Sequence, residues 1–194
     1  MEIFLQAWGG GFYLANKILF ALAEGKKSTI KRLFKIAAWS VYLLGVPAWV
    51  IILILERDWI AASVEAGGIP SMLFGLFTVY QHSNSPHKTF DLIAATFTYS
   101  FLIIGTGYSI YDYAGITSLS QFFEISAMTG FLLGSYLLAK NNIKGWLFFM
   151  LMNGSMASLM FIQQKHLLSI QQLISLCFVI YGFTASLKSR KNRN

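Results

Sequence analysis

The eight residues WLFFMLMN, 146–153, are almost wholly apolar, yet they open on an indole and close on a carboxamide. The composition around them says which solvent they meet: 56% of the 194 residues are hydrophobic and 12% charged, against about 25% charged in a soluble domain. About 20 apolar residues are needed to cross a bilayer core of roughly 30 Å. Seven stretches qualify: 3–23, 36–55, 60–80, 92–110, 123–139, 146–162 and 167–187. The expected fold is therefore all-α and integral to the membrane, with seven transmembrane helices and connections too short for a further domain. The first apolar run has no basic region before it and is long enough to span, so it is expected to remain as a helix and not to be cleaved as a signal peptide.

Charge placement sets an expected orientation. Twelve Lys and Arg fall in loops one, three and five and the tail, two fall in the opposite loops, and Lys17 lies within a span. The positive-inside rule then puts the amino terminus outside and the carboxyl terminus in the cytoplasm. This distribution accounts for the net charge of +7 without any nucleic-acid partner. Cys177 is the only cysteine, lies in the last span and is expected to pack as a small apolar group. Lys17, near the cytoplasmic end of the first span, is expected to snorkel to the headgroups.

The chain also repeats itself weakly. Shifting it by 107 positions lays Trp39 on Trp146, Leu44 on Leu151 and Phe74-Gly75 on Tyr181-Gly182, while Glu65 meets Gln172 and the turn ERD at 56–58 meets QQK at 163–165. Three helices, one linking helix and three more helices follow: 1–80, 81–118 and 119–194. Because the linker is a single span, both bundles enter the membrane the same way, a 3+1+3 parallel pseudo-repeat.

Helical geometry decides which side chains can act together. Residues seven apart differ by about 20° from two full turns, so Trp146, Phe149 or Met150, and Asn153 share a face. An amide in hydrocarbon is costly unless paired, so Asn153 faces a helix neighbour or a solute cavity. On the last helix Gln171, Ser175, Phe178 and Gly182 form another such face, with Gln172 beside it. Glu65 is the one acid well inside a span. It is a candidate partner for a cationic solute, for Arg57 or for a proton. Gly67, Gly68 and Pro70 after it invite a kink that could gate a path. Tyr42, Tyr99, Tyr108, Tyr136 and Tyr181 are the polar aromatics, and Trp39 stands at the start of the second helix. Rings of this kind hold a delocalised cation by up to about 2 kcal/mol. His82 and His87 flank the loop HSNSPH and supply too few ligands for a metal. No nucleophile elbow, paired carboxylate or phosphate loop appears, so no enzyme activity and no cofactor are expected.

The 3+1+3 layout and the segment KNNIKGWLFFMLMNGSMASLMFIQQKHLLSIQQLISLCFVIYGF, 140–183, resemble the PnuC family of bacterial vitamin transporters. Of the family pattern Trp-x-x-Trp-x-x-x-Asp/Asn, Trp146 and Asn153 fill the ends and Phe149 stands at the second Trp. Gln171, Gln172 and Gly182-Phe183 match the family's last helix, with Ser186 where a Trp is expected. The resemblance implies a multi-pass protein of the bacterial cytoplasmic membrane that facilitates uptake of nicotinamide riboside, thiamine or riboflavin by alternating access, with nicotinamide riboside first. A cytoplasmic kinase then traps the product. It implies substrate contacts at Trp146, Phe149, Asn153, Gln171, Gln172, Ser175, Tyr181, Trp39, Tyr42 and Glu65. The sequence leaves open a homo-oligomer, a sugar carrier of similar two-times-three-helix architecture, and a structural or regulatory membrane subunit that transports nothing.

Overall fold

The computed structural model describes residues 2–81 and 87–191. His82 and most of the loop HSNSPH lie outside the described residues. Eight helices form: α1 (Glu2–Glu24), α2 (Ser28–Leu55), α3 (Trp59–Gly67), α4 (Ile69–Tyr80), α5 (Lys88–Asp112), α6 (Leu119–Ala139), α7 (Lys144–Ile162) and α8 (His166–Lys191). Six spans are long and apolar enough to cross a membrane: α2, α3 with α4 as one rod, α5, α6, α7 and most of α8. The seventh expected span, α1, is a 23-residue helix that is not among those six. It nevertheless packs along α2 and α8 as closely as any span does.

Neighbour relations arrange these rods in a ring. α1 touches α2, α2 touches α4, α4 touches α6, α6 touches α7, α7 touches α8, and α8 returns to α1. α5 lies outside this ring against α3, α4 and α6. Its outer face is correspondingly apolar and exposed, with Leu92, Ile103 and Ile104 bare, as a surface facing lipid should be.

The third expected span breaks where glycine and proline predicted. α3 ends at Gly67 and α4 restarts at Ile69 with Pro70 in its first turn, where a missing N–H costs nothing. Rings hold the break in place: a Cβ on Gly67 would lie 2.4 Å from Phe101, and one on Gly68 2.5 Å from Phe131.

Several contacts recur 107 residues apart. The Trp39 indole lies where a Gly75 Cβ would be, at 2.3 Å, and the Trp146 indole where a Gly182 Cβ would be, at 2.4 Å. α2 closes with Arg57 in the left-handed region at φ 62° and α7 with Gln164 at φ 60°. At each turn the following residue donates back five positions, Asp58 to Leu53 at 2.9 Å and Lys165 to Met160 at 2.8 Å. This is the Schellman closure, which satisfies carbonyls otherwise left bare at a helix end.

One end of the ring is basic. Lys31 and Lys35 both pair with Glu24, the latter at 3.2 Å, and Lys35 also donates to Asn141 at 3.2 Å. Arg32 donates to the carbonyls of Val79 and Tyr80. The α1–α2 and α6–α7 turns therefore lie at the same end.

Candidate functional site

The face expected on α7 is present: Trp146, Phe149 and Asn153 are all buried, whereas Met150 is only half-buried. Their environments differ. Trp146 packs its ring on Gly182 and is not among the residues lining the cavity where Asn153 lies. Phe149 lies over a lysine. Asn153 opens onto a cavity lined by Tyr13, Leu14, Lys17, Met152, Asn153, Gln171, Gln172 and Ser175. The cavity joins α1, α7 and α8, and its free volume is about 10 Å³, the room one water molecule needs.

The Asn153 carboxamide is half used. Its Nδ2 donates to the Phe149 carbonyl at 2.7 Å, one turn back on the same helix, and its buried Oδ1 has no protein partner. Gln121, buried to the same degree, is the useful contrast. Its Nε2 donates to Ser109 and Gly115 and its Oε1 accepts from Thr117. Gln121 is a structural amide with both ends used. Asn153 keeps an acceptor in hand, although an unmade buried bond costs about 1 to 3 kcal/mol.

Lys17 overturns its expectation. Instead of snorkelling it is 1% exposed, and its Nζ has no hydrogen-bond partner. It sits 3.6 Å from the Phe149 ring centroid and 4.4 Å from that of Tyr42, within cation–π range of both. The reason is the register of α1: Lys17 follows Tyr13 by one turn and precedes Phe20 by three residues, on the face that packs inward. The stem that should reach the headgroups points into the ring of helices.

The other expected site residues divide. Gln171, Gln172 and Ser175 line the cavity. Tyr42 is fully buried, faces Lys17 and lies 3.4 Å from the Ser135 hydroxyl. Glu65 is paired neither with Arg57 nor with open space: the Tyr13 hydroxyl donates to its carboxylate. Trp39 is buried against Phe20 and Gly75, away from the cavity. Tyr181 is 51% exposed and points outward, because it precedes the inward Gly182 by one residue and so sits 100° around the helix. Cys177 is likewise exposed and does not pack as an interior apolar group. Tyr99 and Tyr108 are half exposed, whereas the Tyr136 hydroxyl donates to Asp91 at 2.8 Å. Among the described residues no group of three His, Cys, Asp or Glu could hold a metal.

Sequence reasoning missed Tyr13, Leu14, Lys17 and Met152. A signal existed: Gly10, Tyr13, Lys17 and Glu24 fall on one stripe of α1, and a lysine seven residues from the helix end is a long way from water. No protein-family model, curated protein or solved structure matches this chain.

Proposed function

We propose that this chain is a facilitator that carries a small, flat, B-vitamin-like solute across the bacterial cytoplasmic membrane, amino terminus outside. Nicotinamide riboside is the member of that class that the resemblance implies. The observation that carries the reading is that, of the four buried side-chain polar atoms without a partner among the described residues, two, Lys17 Nζ and Asn153 Oδ1, belong to residues lining one cavity where α1 meets α7 and α8, the others being Asn16 Oδ1 and Trp49 Nε1. Ionisable and amide groups left unpaired inside a membrane bundle are costly, and solute pathways are where they recur.

The boundary position matters as much as the chemistry. α1 belongs to the first three-helix bundle and α7 and α8 to the second, so rocking one bundle on the other opens the cavity to either side in turn. The contacts repeated at Trp39 and Trp146, and at Arg57 and Gln164, support two like-oriented bundles. A cavity of about 10 Å³ has no room for such a solute, so on this reading the described state is a contracted one. Downstream phosphorylation by a kinase then keeps the solute inside.

The same small cavity favours one other reading, a membrane subunit whose polar groups only lock helices together. Uptake into liposomes separates the two. Labelled nicotinamide riboside, thiamine or riboflavin should enter saturably, and Asn153→Leu should abolish entry. Absence of saturable uptake and of any thermal stabilisation by these solutes would leave the subunit reading.

A further inference from the structure

We infer that Lys17 is the counter-charge for a carboxylate carried by the solute. The inference rests on the facilitator reading and decides the solute's charge, which nicotinamide riboside, first in the resemblance, would make a fixed cation.

The argument begins with how this chain treats its other lysines at helix ends. Lys31 and Lys35 share Glu24, and Lys140 pairs with Asp91 at 2.9 Å. Lys17 is more deeply buried than any of these, yet among the described residues no acid reaches it. Glu65, the acid inside a neighbouring span, is engaged by the Tyr13 hydroxyl. Two aromatic rings cover one side of the amine. They attract an ammonium but do not neutralise it. Lys17 also lines the cavity, and the lining there carries donors: the Gln171 and Gln172 amides and the Ser175 hydroxyl. A group arriving at that point meets an amine and neutral N–H and O–H groups, the surroundings that hold a carboxylate.

Asn153 Oδ1, unpaired at the same cavity, is free to take an N–H or hydroxyl where a solute carries one; the carboxylate at Lys17 does not depend on it. A pyridinium or thiazolium seated in the ring cage instead would lie against Lys17, and like charges repel strongly where water is scarce. The class implied is a small heterocyclic monocarboxylate.

Three probes with one ring and three charges test this: nicotinate, nicotinamide and 1-methylnicotinamide, added to the purified full chain in detergent during thermal unfolding. Nicotinate should stabilise most and the methylated cation least. Lys17→Met should fold, because it removes an unpartnered buried amine, and should weaken nicotinate by about tenfold or more while admitting the cation. Lys17→Arg should keep the order. Equal or better stabilisation by nicotinamide or the cation, or unchanged nicotinate binding in Lys17→Met, overturns the carboxylate and leaves the facilitator standing. Stabilisation by riboflavin, thiamine or nicotinamide riboside but not by nicotinate does the same. No stabilisation by any of the six, with no uptake, overturns both.

Discussion

Two helices carry the same tryptophan and part company seven residues later. On α2 the buried stripe reads Trp39, Tyr42, Val46; on α7 it reads Trp146, Phe149, Asn153, and all six are at most 1% exposed. Each indole rests on a glycine of the third rod of its own bundle, Gly75 or Gly182, and each following ring faces Lys17. The middle position keeps an aromatic ring, Tyr42 or Phe149, whereas the last changes from an apolar valine to an amide with a free acceptor. On the proposed function, the first bundle supplies scaffold at that level and the second supplies chemistry, with Lys17 reaching across from the first. A packing role would ask for the same residue at both places; a binding role asks for it at one.

The largest expected effect comes from removing that asymmetry. Asn153→Leu should abolish saturable uptake without loss of thermal stability, since the change discards an unsatisfied buried oxygen. Val46→Asn should behave in the opposite sense. It buries an amide where no cavity receives it, lowers stability by about 1 to 3 kcal/mol, and creates no second site. If Asn153→Leu unfolds the protein, as loss of a helix-locking bond would, Asn153 is a packing residue and the comparison collapses.

The shared part of the stripe gives the next test. Gly75→Val and Gly182→Val each drive a side chain into an indole, and overpacking of this kind costs about 1 to 3 kcal/mol. Near-equal losses in thermal stability would sharpen the equivalence of the two bundles. A loss confined to one would break it.

Much of this was legible in advance and some was not, for definable reasons. Apolar length located every rod, and Gly67, Gly68 and Pro70 located the break, because both signals are local. The alignment of Trp39 with Trp146 and of Gly75 with Gly182 was visible in the sequence, but that each indole packs on its glycine was not foreseen. Asn153 and the Gln171 face followed from helical phase. Lys17 did not, because snorkelling was argued from its nearness to a helix end, and nearness says nothing about which way α1 is turned. Tyr181 failed for the same reason: it was singled out as a polar aromatic of the last helix with no account of its phase, and one step of 100° separates it from the inward Gly182. Phase relative to partners is a tertiary property, and a single helix does not record it.

A third effect, smaller again, concerns Glu65 and its place in the first bundle. Tyr13→Phe removes the hydroxyl that donates to the Glu65 carboxylate while preserving the Tyr13 ring contact with Tyr42 at 4.9 Å. A cost of about 1 kcal/mol is expected for stranding a half-buried acceptor, and Glu65→Gln on the Tyr13→Phe background should recover part of it. Gln172, the residue 107 positions on, lies at the cavity instead of at a tyrosine. Gln172→Leu should therefore change uptake while leaving stability within about 0.5 kcal/mol.

The smallest effect separates the two turns at the basic end. In the first bundle the helix ends on an acid, Glu24, which is buried and clamped by Lys31 and Lys35. In the second it ends before a base, Lys140, which reaches Asp91 on α5 at 2.9 Å and the Tyr136 hydroxyl at 3.2 Å in a setting open to solvent. The hydrogen bond to the Asp91 carboxylate holds the Lys140 ammonium above the ordinary lysine value of 10.5. A raised lysine contributes its stability fully below that ordinary value and loses it only as pH climbs past the raised one, so Lys140→Met should cost the same at pH 6 as at pH 9. An exposed pair of this kind is worth about 0 to 1 kcal/mol and fades with salt, whereas Glu24→Gln strands two lysines and should cost more and respond less to salt. A Lys140→Met loss as large as that of Glu24→Gln would mean that α5 is clamped to the second bundle as firmly as α1 is to α2, and that the linking helix moves with it as one body.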